Sequence, residues 1–421
     1  GTDTEFLGYI DTYSSSKILA MFKDGNEVKE LKVGDEAILI LDKSPFYAES
    51  GGQVGDSGYI KTNRGKFYVQ DTIKIKKTIF GHIGVLETGS LKCNEQVEAS
   101  IDEHRRDDIK RNHSVTHLLH KALKIVLGEH VEQKGSLVDN LKTRFDFSHT
   151  KPISNDEIHQ IESIVNNEIL TNKVTTTEMM SIDKAKESGA LMLFGEKYDS
   201  EVRVLNIGNS IELCGGTHVS NTGDIGLFKI YSETGVASGV RRIEGVTGLN
   251  LIKFLNDQEE ILTKVSKDLN TKPSEIPTKV SSLLSQLKEN EKKQNQLKSE
   301  LALNQTDEML SKTSKINNFE YLSQVIDNQG PNELRDMIDK LKLKLKTAVI
   351  ILASVKDSNV TFAVGVTDNL TDKIDAGSIA KTLGEKVGGK GGGRKNMAMA
   401  GGTNTKLVQE AFKLVQTNLS S

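Results

Sequence analysis

The stretch Arg111-Asn-His-Ser-Val-Thr-His-Leu-Leu-His120 lies where the chain changes from strand-like to helix-like patterning. Apolar side chains recur at three- and four-residue spacing between residues 104 and 127, which predicts a helix. His113 and His117 are four residues apart within it, so their imidazoles lie on one face, one turn apart. Two imidazoles in that arrangement can chelate a single ion, although an ordinary polar pair on a helix face has the same spacing.

A second pair with the same spacing lies further along the chain. Cys214-Gly-Gly-Thr-His218 places a thiol and an imidazole in a glycine-rich turn, where the backbone can bend tightly enough for both side chains to converge. One sulfur and three nitrogens suit a tetrahedral Zn²⁺ ion. We therefore predict that His113, His117, Cys214 and His218 bind one zinc ion. Taken alone, Cys214 is compatible with a buried apolar position, so the prediction depends on the two pairs meeting in space.

The number of protein ligands bears on what the metal does. Four protein ligands are typical of a closed, structural zinc site, whereas hydrolysis by a metal-bound water needs an open position. Either one ligand is loose, or the ion positions the substrate while another water attacks. His120 lies off the face shared by His113 and His117, so we do not predict it as a ligand.

Outward from this region, the sequence divides into four segments of different patterning. Alternating apolar and polar residues in the first segment predict strands, and the spacing after Pro277 is typical of a coiled coil or of a helix packed on its own domain. The predicted fold is multidomain α+β. It has a β-barrel over residues 1–100, a zinc-containing α+β domain over 101–248, a helical or coiled-coil segment over 249–315, and an α/β domain over 316–421.

Composition excludes several classes of protein. The chain has 421 residues, 27% of them charged, and a formal net charge of -3 at pH 7. No apolar run reaches the roughly 18–20 residues of a membrane span, so we expect no membrane association. We expect no secretory leader, and with Cys93 and Cys214 as the only cysteines we expect a reducing, cytoplasmic location. Because the net charge is small, any surface that binds nucleic acid must be local.

Residues 384–402 form a basic, glycine-rich stretch that we expect to be a loop. Its cations could contact phosphates while the glycines let backbone N–H groups approach them. A Walker phosphate-binding loop is excluded because the Gly-Lys-Ser/Thr ending is missing. The stretch is also compatible with a flexible surface loop. The candidate contacts are Lys386, Lys390, Arg394 and Lys395.

Four motifs, in this order, resemble the editing region of alanyl-tRNA synthetases. They are SPFYAESGGQVGDSG (44–58), RNHSVTHLLH (111–120), CGGTHVSNTGDIGLFK (214–229) and GVRRIEGVTG (239–248). The resemblance continues through the helical segment into the glycine-rich domain, so it covers essentially the whole chain. It implies the C-terminal half of such an enzyme, without the aminoacylation core, or else a freestanding editing relative.

The resemblance implies an activity, a cofactor and partners. The activity is hydrolysis of the ester in seryl- or glycyl-tRNA(Ala), which makes the chain an aminoacyl-tRNA deacylase. In the family the His-x-x-x-His and Cys-x-x-x-His pairs bind zinc in the editing pocket, which implies the same four ligands here. The implied partner is tRNA(Ala), including its mischarged 3′ end, with the basic glycine-rich stretch as a further contact. The helical segment is a candidate for homodimerisation.

The resemblance also implies further pocket residues. Gln53 corresponds to a position important for editing, and its amide could hydrogen-bond the substrate or the attacking water. We expect Asp56 to be a base or, preferably, a turn or pocket-wall residue. Thr217 could pair with the hydroxyl of serine. Arg241 could contact the tRNA terminus.

Two other functions stay open at this point. One is a noncatalytic tRNA-binding and dimerisation module with a structural zinc, which the four-ligand count favours. The other is the related editing domain of threonyl-tRNA synthetases, against which the β-rich first segment and the glycine-rich tail argue. A phosphodiesterase is excluded because the sequence has no Asp-His-His motif.

Overall fold

The chain folds into two units in a computed structural model that describes residues 3–192 and 199–421. The units are Gly1–Asp268 and Leu269–Ser421, and each has its own sheets and its own apolar core. The predicted helical segment 249–315 spans the division between them. The multidomain α+β architecture, with a barrel sheet and helices, is confirmed.

The first unit begins with a closed β-barrel. Side chains along Tyr13–Lys23 alternate between buried and exposed, as expected of a strand with one face on a core. Six antiparallel strands form a ring because Gln96–Ile101 pairs with both Tyr13–Lys23 and Gly58–Lys61. Closure leaves this ring without a free edge. The strands of the region are β1 (Glu5–Phe6), β2 (Tyr13–Lys23), β3 (Asn26–Glu27), β4 (Glu30–Lys32), β5 (Glu36–Leu41), β6 (Lys43–Ser44), β7 (Gly58–Lys61), β8 (Gly65–Lys76), β9 (Ile79–Lys92) and β10 (Gln96–Ile101).

The barrel encloses one imidazole, that of His82, which is fully buried. Its Nδ1 donates to the carbonyl of Leu39 at 2.9 Å, and its Nε2 accepts from Ser44 Oγ at 2.7 Å. A carbonyl oxygen can only accept, which fixes this tautomer. Burial lowers the pKa of His82 from 6.5 to about 4, although the Leu39 carbonyl opposes the shift, so the ring is neutral at pH 7.

The rest of the first unit combines helices with two antiparallel sheets. Its elements are α1 (Glu103–Leu127), β11 (Gln133–Val138), β12 (Thr143–Ser148), α2 (Asn155–Leu170), β13 (Thr176–Ser181), α3 (Ile182–Glu187), β14 (Glu201–Ile207), β15 (Ser210–Leu213), β16 (Phe228–Ala237), β17 (Val240–Thr247) and α4 (Gly248–Asp268). One sheet has the order β11-β12-β17-β16 and the other β13-β14-β15. These sheets and helix α2 surround α1.

Helix α1 is the central element of this region. The side chain of Asp102 caps its start by accepting from the backbone N–H of Arg105, and the helix ends at Gly128. Residues 112–120 are all buried, because α2, β12, β15 and β17 pack around the helix. A helix segment enclosed on every side must satisfy its polar side chains internally, and His113, His117 and His120 lie in this enclosed part.

The second unit is built on a six-stranded sheet. Its elements are α5 (Ile276–Ser311), β18 (Ser314–Ile316), β19 (Phe319–Val325), α6 (Pro331–Lys344), β20 (Ala348–Lys356), β21 (Asn359–Val366), α7 (Ala376–Lys386), β22 (Lys390–Arg394), β23 (Met397–Gly402) and α8 (Val408–Ser420). The strand order is β18-β19-β20-β21-β23-β22, with β19 and β20 parallel. Strand β20 is buried over seven consecutive residues, which agrees with its apolar sequence.

Two features of the second unit bear on the predictions. The glycine-rich stretch is not a loop: it forms a hairpin whose outer strand β22 lies at the edge of the sheet, because its glycines let that strand pack closely on α7. Helix α5 exposes the apolar side chains of Leu284, Leu287 and Leu297. Among the described residues, no helix is long and apolar enough to cross a membrane.

Candidate metal centre

The two predicted ligand pairs meet in the first unit. His113 and His117 lie on the enclosed part of α1, and Cys214 and His218 lie in the turn that follows β15. One potential ligand atom from each of the four residues lies within 4.8 Å of all the others. Cys214 Sγ is 3.5 Å from His113 Nε2 and 3.2 Å from His218 Nε2. The fold therefore gathers one sulfur and three imidazoles around one point.

Hydrogen bonds on the outer side of α1's imidazoles fix their orientation. His113 Nδ1 donates to Gln53 Oε1 at 2.7 Å, and His117 Nδ1 donates to Glu212 Oε2 at 2.5 Å. A ligand histidine commonly donates its second ring N–H to a carboxylate or amide in this way, which leaves the other nitrogen free to bind metal.

His218 completes the same pattern. Its Nδ1 is 3.1 Å from Ser114 Oγ, so its Nε2 also faces the cluster. His117 Nε2 is buried and has no hydrogen-bond partner among the described residues. A buried nitrogen without a partner is costly, and a metal ion at the centre of the cluster would satisfy it. Three imidazole nitrogens and a thiolate are the donor set that zinc prefers, so the residues fit the ion.

The electrostatics favour a thiolate. Burial would raise the pKa of Cys214, but the neighbouring His113, His218 and His117 together hold it well below the usual value. The backbone N–H of Gly216 also donates to Cys214 Sγ at 3.4 Å. Burial disfavours the charged form of His117, yet the carboxylate of Glu212 and the thiolate of Cys214 together raise its pKa to about 10. Glu212 and Cys214 thus supply negative charge around the point where a cation would bind.

Gln53 and Thr217 lie behind the cluster, and both are buried. Gln53 Oε1 accepts from the backbone N–H of Thr217 at 3.0 Å as well as from His113, and Gln53 Nε2 donates to Thr217 Oγ1 at 2.8 Å. The amide is therefore occupied with holding His113 and the ligand turn. Neither residue lines the cavity beside the cluster, and a direct contact of either side chain with a substrate stays a prediction.

Asp56 and Arg241 are engaged in ion pairs elsewhere. Asp56 is buried against Arg106 Nε and accepts from the backbone N–H of Tyr47 at 2.8 Å. Arg241 forms a two-bond ion pair with Glu233, at 2.5 and 2.7 Å. Of the two roles expected for Asp56, a structural position accords with this pairing and a base does not. Arg241 does not line the cavity beside the cluster, and its guanidinium is bonded to Glu233.

The cluster forms part of the wall of a cavity of about 350 Å³. Polar side chains from three different elements line it beside the ligands. Sequence alone does not predict the roles of three residues that surround the cluster: Glu212 and Arg203 lie outside the four motifs, and Ser114 lies in the motif 111–120 but is not itself a candidate ligand. The lining includes Gln133, Ser136, Glu201, Arg203 and Glu212.

The four predicted phosphate contacts lie in the second unit. Lys390, Arg394 and Lys395 are exposed on β22 and the turn that follows it. Lys386, at the end of α7, is 3.1 Å from Glu410 and therefore already has an anionic partner. Strand alternation places Lys390 and Arg394 on the same face of β22.

Comparison with known proteins gives three family matches. Residues 1–105 match tRNA synthetases class II (A), residues 202–244 match the threonyl and alanyl tRNA synthetase second additional domain, and residues 318–421 match the DHHA1 domain. The first match contains the barrel, the second contains Cys214 and His218, and the third contains the glycine-rich hairpin.

Curated relatives match nearly the whole chain. An alanine–tRNA ligase of Aromatoleum aromaticum is 50% identical over 416 residues, 99% of this chain and 48% of that protein. One of Thiobacillus denitrificans is 47% identical over 421 residues, 100% of this chain and 48% of that protein. The chain thus spans about half the length of the curated relatives it matches. Among solved structures, the C-Ala domain of Aquifex aeolicus alanyl-tRNA synthetase is 32% identical, with a TM-score of 0.26, over 26% of this chain and 99% of that one.

Proposed function

We propose, on the premise that this chain is homologous over 99% of its length to the alanine–tRNA ligases, that it hydrolyses mischarged tRNA(Ala). The reaction is cleavage of the ester between serine or glycine and the 3′-terminal ribose. The observation that carries the proposal is the convergence of three histidines and one cysteine, of which His113, His117 and Cys214 line a cavity. Such convergence of charged and metal-binding groups in a cavity is typical of a catalytic site.

The proposed cofactor is one zinc ion, held by His113, His117, Cys214 and His218. When bound, zinc supplies positive charge that stabilises the oxyanion or lowers the pKa of a water. Gln53, Glu212 and Ser114 hold the three imidazoles in orientation through the hydrogen bonds at Nδ1. These three are positioning residues, because they act through the ligands rather than on the substrate.

The cavity fits a small substrate group. Its volume of about 350 Å³ lies at the lower end of the range for ligand pockets, roughly 300–1,000 Å³, and suits an amino acid with the adjoining ribose. An aminoacyl ester is already activated, so the protein needs to position a water and support the developing negative charge. The chemistry is thus undemanding, and the selection of the substrate is the harder task.

Selectivity would come from polar groups that face the cavity. Gln133 and Ser136 line it, so their side chains could pair with the hydroxyl of serine, whereas alanine would leave them without that partner. A synthetase pocket built for alanine cannot strongly reject other small amino acids, and a second site removes the errors. In this proposal Gln133 and Ser136 take the substrate-facing role that was expected of Gln53 and Thr217.

We also propose that the second unit binds tRNA and that the helical segment mediates homodimerisation. Lys390, Arg394 and Lys395 present exposed cations that phosphates could contact. The apolar stripe of α5 is exposed at Leu287 and Leu297, as expected of a seam that a second copy covers. Sedimentation equilibrium tests the dimer: wild type should be dimeric and a variant with both leucines changed to Glu monomeric, and a monomeric wild type rejects it.

A second candidate function is a noncatalytic tRNA-binding module with a structural zinc. Four protein donors favour it, because a closed tetrahedral site leaves no position for a catalytic water. A third, editing of mischarged tRNA(Thr), draws on the family match of residues 202–244, which covers threonyl as well as alanyl synthetases.

Deacylation assays separate these functions. Seryl-, glycyl- and alanyl-tRNA(Ala) and seryl-tRNA(Thr) are incubated with wild type and with Cys214→Ala, and zinc is measured in both. We expect release of serine and glycine from tRNA(Ala), spared alanine, and an inactive variant without zinc. No serine release by a folded, zinc-loaded, tRNA-binding wild type favours the noncatalytic module. A preference for seryl-tRNA(Thr) favours the threonyl assignment.

A further inference from the structure

The turn that carries Cys214 is held by two side chains from outside the ligand set. Tyr9 Oη donates to the carbonyl of Gly215 at 2.5 Å. Arg203 Nη1 donates to the carbonyls of Cys214 and Gly216, at 3.0 and 2.8 Å. Three consecutive carbonyls of the turn are thus each bonded to one of these two residues.

Tyr9 and Arg203 also contact each other. The guanidinium carbon of Arg203 lies 4.0 Å from the centre of the Tyr9 ring, a distance typical of cation–π stacking. The backbone N–H of Cys214 in turn donates to the carbonyl of Arg203 at 3.1 Å, so the turn and the arginine are bonded in both directions. The stack fixes the guanidinium in the plane from which it reaches both carbonyls.

Tyr9 itself is anchored from the barrel side. Its ring packs edge-on against Phe6 at 4.9 Å between centroids. The neighbouring carbonyl of Gly8 accepts from Arg106 Nη1 at 2.6 Å, and Arg106 is the buried partner of Asp56. The Asp56–Arg106 pair therefore holds the turn that carries Tyr9. This buried ion pair thus has a structural role and does not need to contact the substrate.

The turn must be held because its glycines leave it pliable. Gly216 has to approach His113 closely: a Cβ at that position would lie 2.0 Å from His113 Cε1. Glycine backbone can adopt many conformations, and the one present here puts Cys214 Sγ beside the imidazoles. Hydrogen bonds to its carbonyls select that conformation before a metal binds.

We infer that Tyr9 and Arg203 form a clamp that pre-positions the Cys214 thiolate, so that the metal centre is assembled jointly by the barrel and the α+β part of the first unit. The inference rests on the proposed zinc site and extends it to residues that bind neither metal nor substrate. It follows that the first ten residues, which contain no metal-binding side chain of the cluster, are required for full metal affinity.

Metal binding to the full chain tests the clamp without tRNA. Zinc dissociation constants are measured by chelator competition, and Co²⁺ is substituted to record the thiolate charge-transfer and d–d bands. We expect about 10- to 100-fold weaker zinc binding in Arg203→Met, the range typical of residues that support metal ligands, and altered Co²⁺ bands. Tyr9→Phe keeps the ring and loses only the O–H donor, so we expect about fivefold weaker binding. Arg203→Lys should recover part of the affinity.

Matched controls separate the clamp from general stability. Tyr13→Phe changes an exposed barrel tyrosine, and Arg64→Met removes an exposed arginine paired with Glu95. Both should bind zinc as wild type does. Unfolding temperatures of the metal-free proteins show whether each variant still folds. If Arg203→Met does not fold, the zinc affinity of Tyr9→Phe is the test of the clamp. Unchanged zinc constants and Co²⁺ bands in the clamp variants overturn the inference, whereas a wild type that binds no zinc overturns the metal centre itself.

Discussion

Two glycine-rich segments of this chain were both predicted to carry function, and the structure uses their glycines differently. In the turn Cys214–His218, glycine allows side chains from elsewhere to approach, because His113 occupies the space where a Cβ of Gly216 would lie. In the strand Lys390–Arg394, glycine allows an edge strand to pack on α7, because a Cβ on Gly391 would lie 2.0 Å from the carbonyl of Ala380.

The difference shows what glycine content does and does not indicate. In the first segment the side chains beside the glycines converge on one point, where three imidazoles and a thiol meet. In the second segment they stay apart and exposed, and one of the predicted cations, Lys386, is already paired with Glu410. A site that binds a metal needs convergence, whereas a surface that follows a phosphate backbone needs spacing.

The largest expected effect is a difference in zinc binding and activity between variants of two neighbouring glycines, Gly215 and Gly216. Gly216→Ala would push His113 away from the cluster, so we expect loss of zinc and about 100- to 1,000-fold slower release of serine, since the metal supplies several kcal/mol of charge stabilisation. Gly215→Ala is the control, because the nearest atom to its Cβ would be Tyr9 Oη at 3.8 Å, an ordinary contact. Zinc content and single-turnover deacylation check both. Equal behaviour of the two variants would contradict the close-approach argument.

Acid should lower the stability of the first unit more than that of the second. All nine histidines lie from His82 to His218, and the second unit has none. The folded pKa of His82 is about 4, below the unfolded value of 6.5. Below pH 6.5 the unfolded chain therefore gains a proton that the folded barrel does not. The contribution of His82 to the stability of the first unit is complete above pH 6.5 and falls toward pH 4, by up to about 3 kcal/mol.

Hydrogen exchange of barrel amides between pH 7 and 4.5 measures this loss. His82→Gln keeps a donor and an acceptor but does not titrate in this range, so its barrel should show a weaker pH dependence. Amides of the second unit serve as the internal reference in both proteins. An identical slope in wild type and His82→Gln would show that the buried imidazole is not responsible.

A smaller effect is expected for the glycines of the hairpin. Gly391→Ala forces β22 away from α7 and should cost about 2 kcal/mol, within the range of overpacking. Gly392→Ala is the matched control, because nothing lies within 4 Å of the position of its Cβ. We expect it to change the free energy of unfolding by less than about 0.5 kcal/mol. Hydrogen exchange over residues 376–402 reports the difference, and zinc affinity should not change in either variant. Loss of zinc in Gly391→Ala would mean that the two regions are coupled.

The smallest effect concerns the predicted phosphate contacts. Lys390→Ala and Arg394→Ala should each weaken tRNA binding by about 1 kcal/mol, roughly fivefold, and each reduce the slope of log affinity against log salt by about one. Lys386→Ala should change the tRNA affinity and the salt slope less, because Glu410 already pairs with the Lys386 ammonium. Filter binding at several salt concentrations gives both quantities. If Lys386→Ala equals the other two, the pairing with Glu410 does not matter in solution.

Local spacing predicted much of this molecule correctly. The helix around His113 and the strands of the first segment follow from the spacing of their apolar residues. The glycine-rich hairpin was missed, since a stretch without side chains carries no hydrophobic alternation. The contacts of Gln53 could not be predicted for a different reason: an amide can hold a ligand residue or contact a substrate, and sequence does not show which is nearer.

By itself, the sequence determined the ligand types and their spacing, and therefore the donor set that fits zinc. It also determined which segments favour strands and which favour helices, because hydrophobic periodicity is a local property. Only the tertiary structure decided that Glu212, Ser114 and Gln53 orient the imidazoles and that Tyr9 and Arg203 hold the turn. Those contacts join residues far apart in sequence, and their partners are ordinary polar side chains whose meaning depends on distance and burial, which no local pattern encodes.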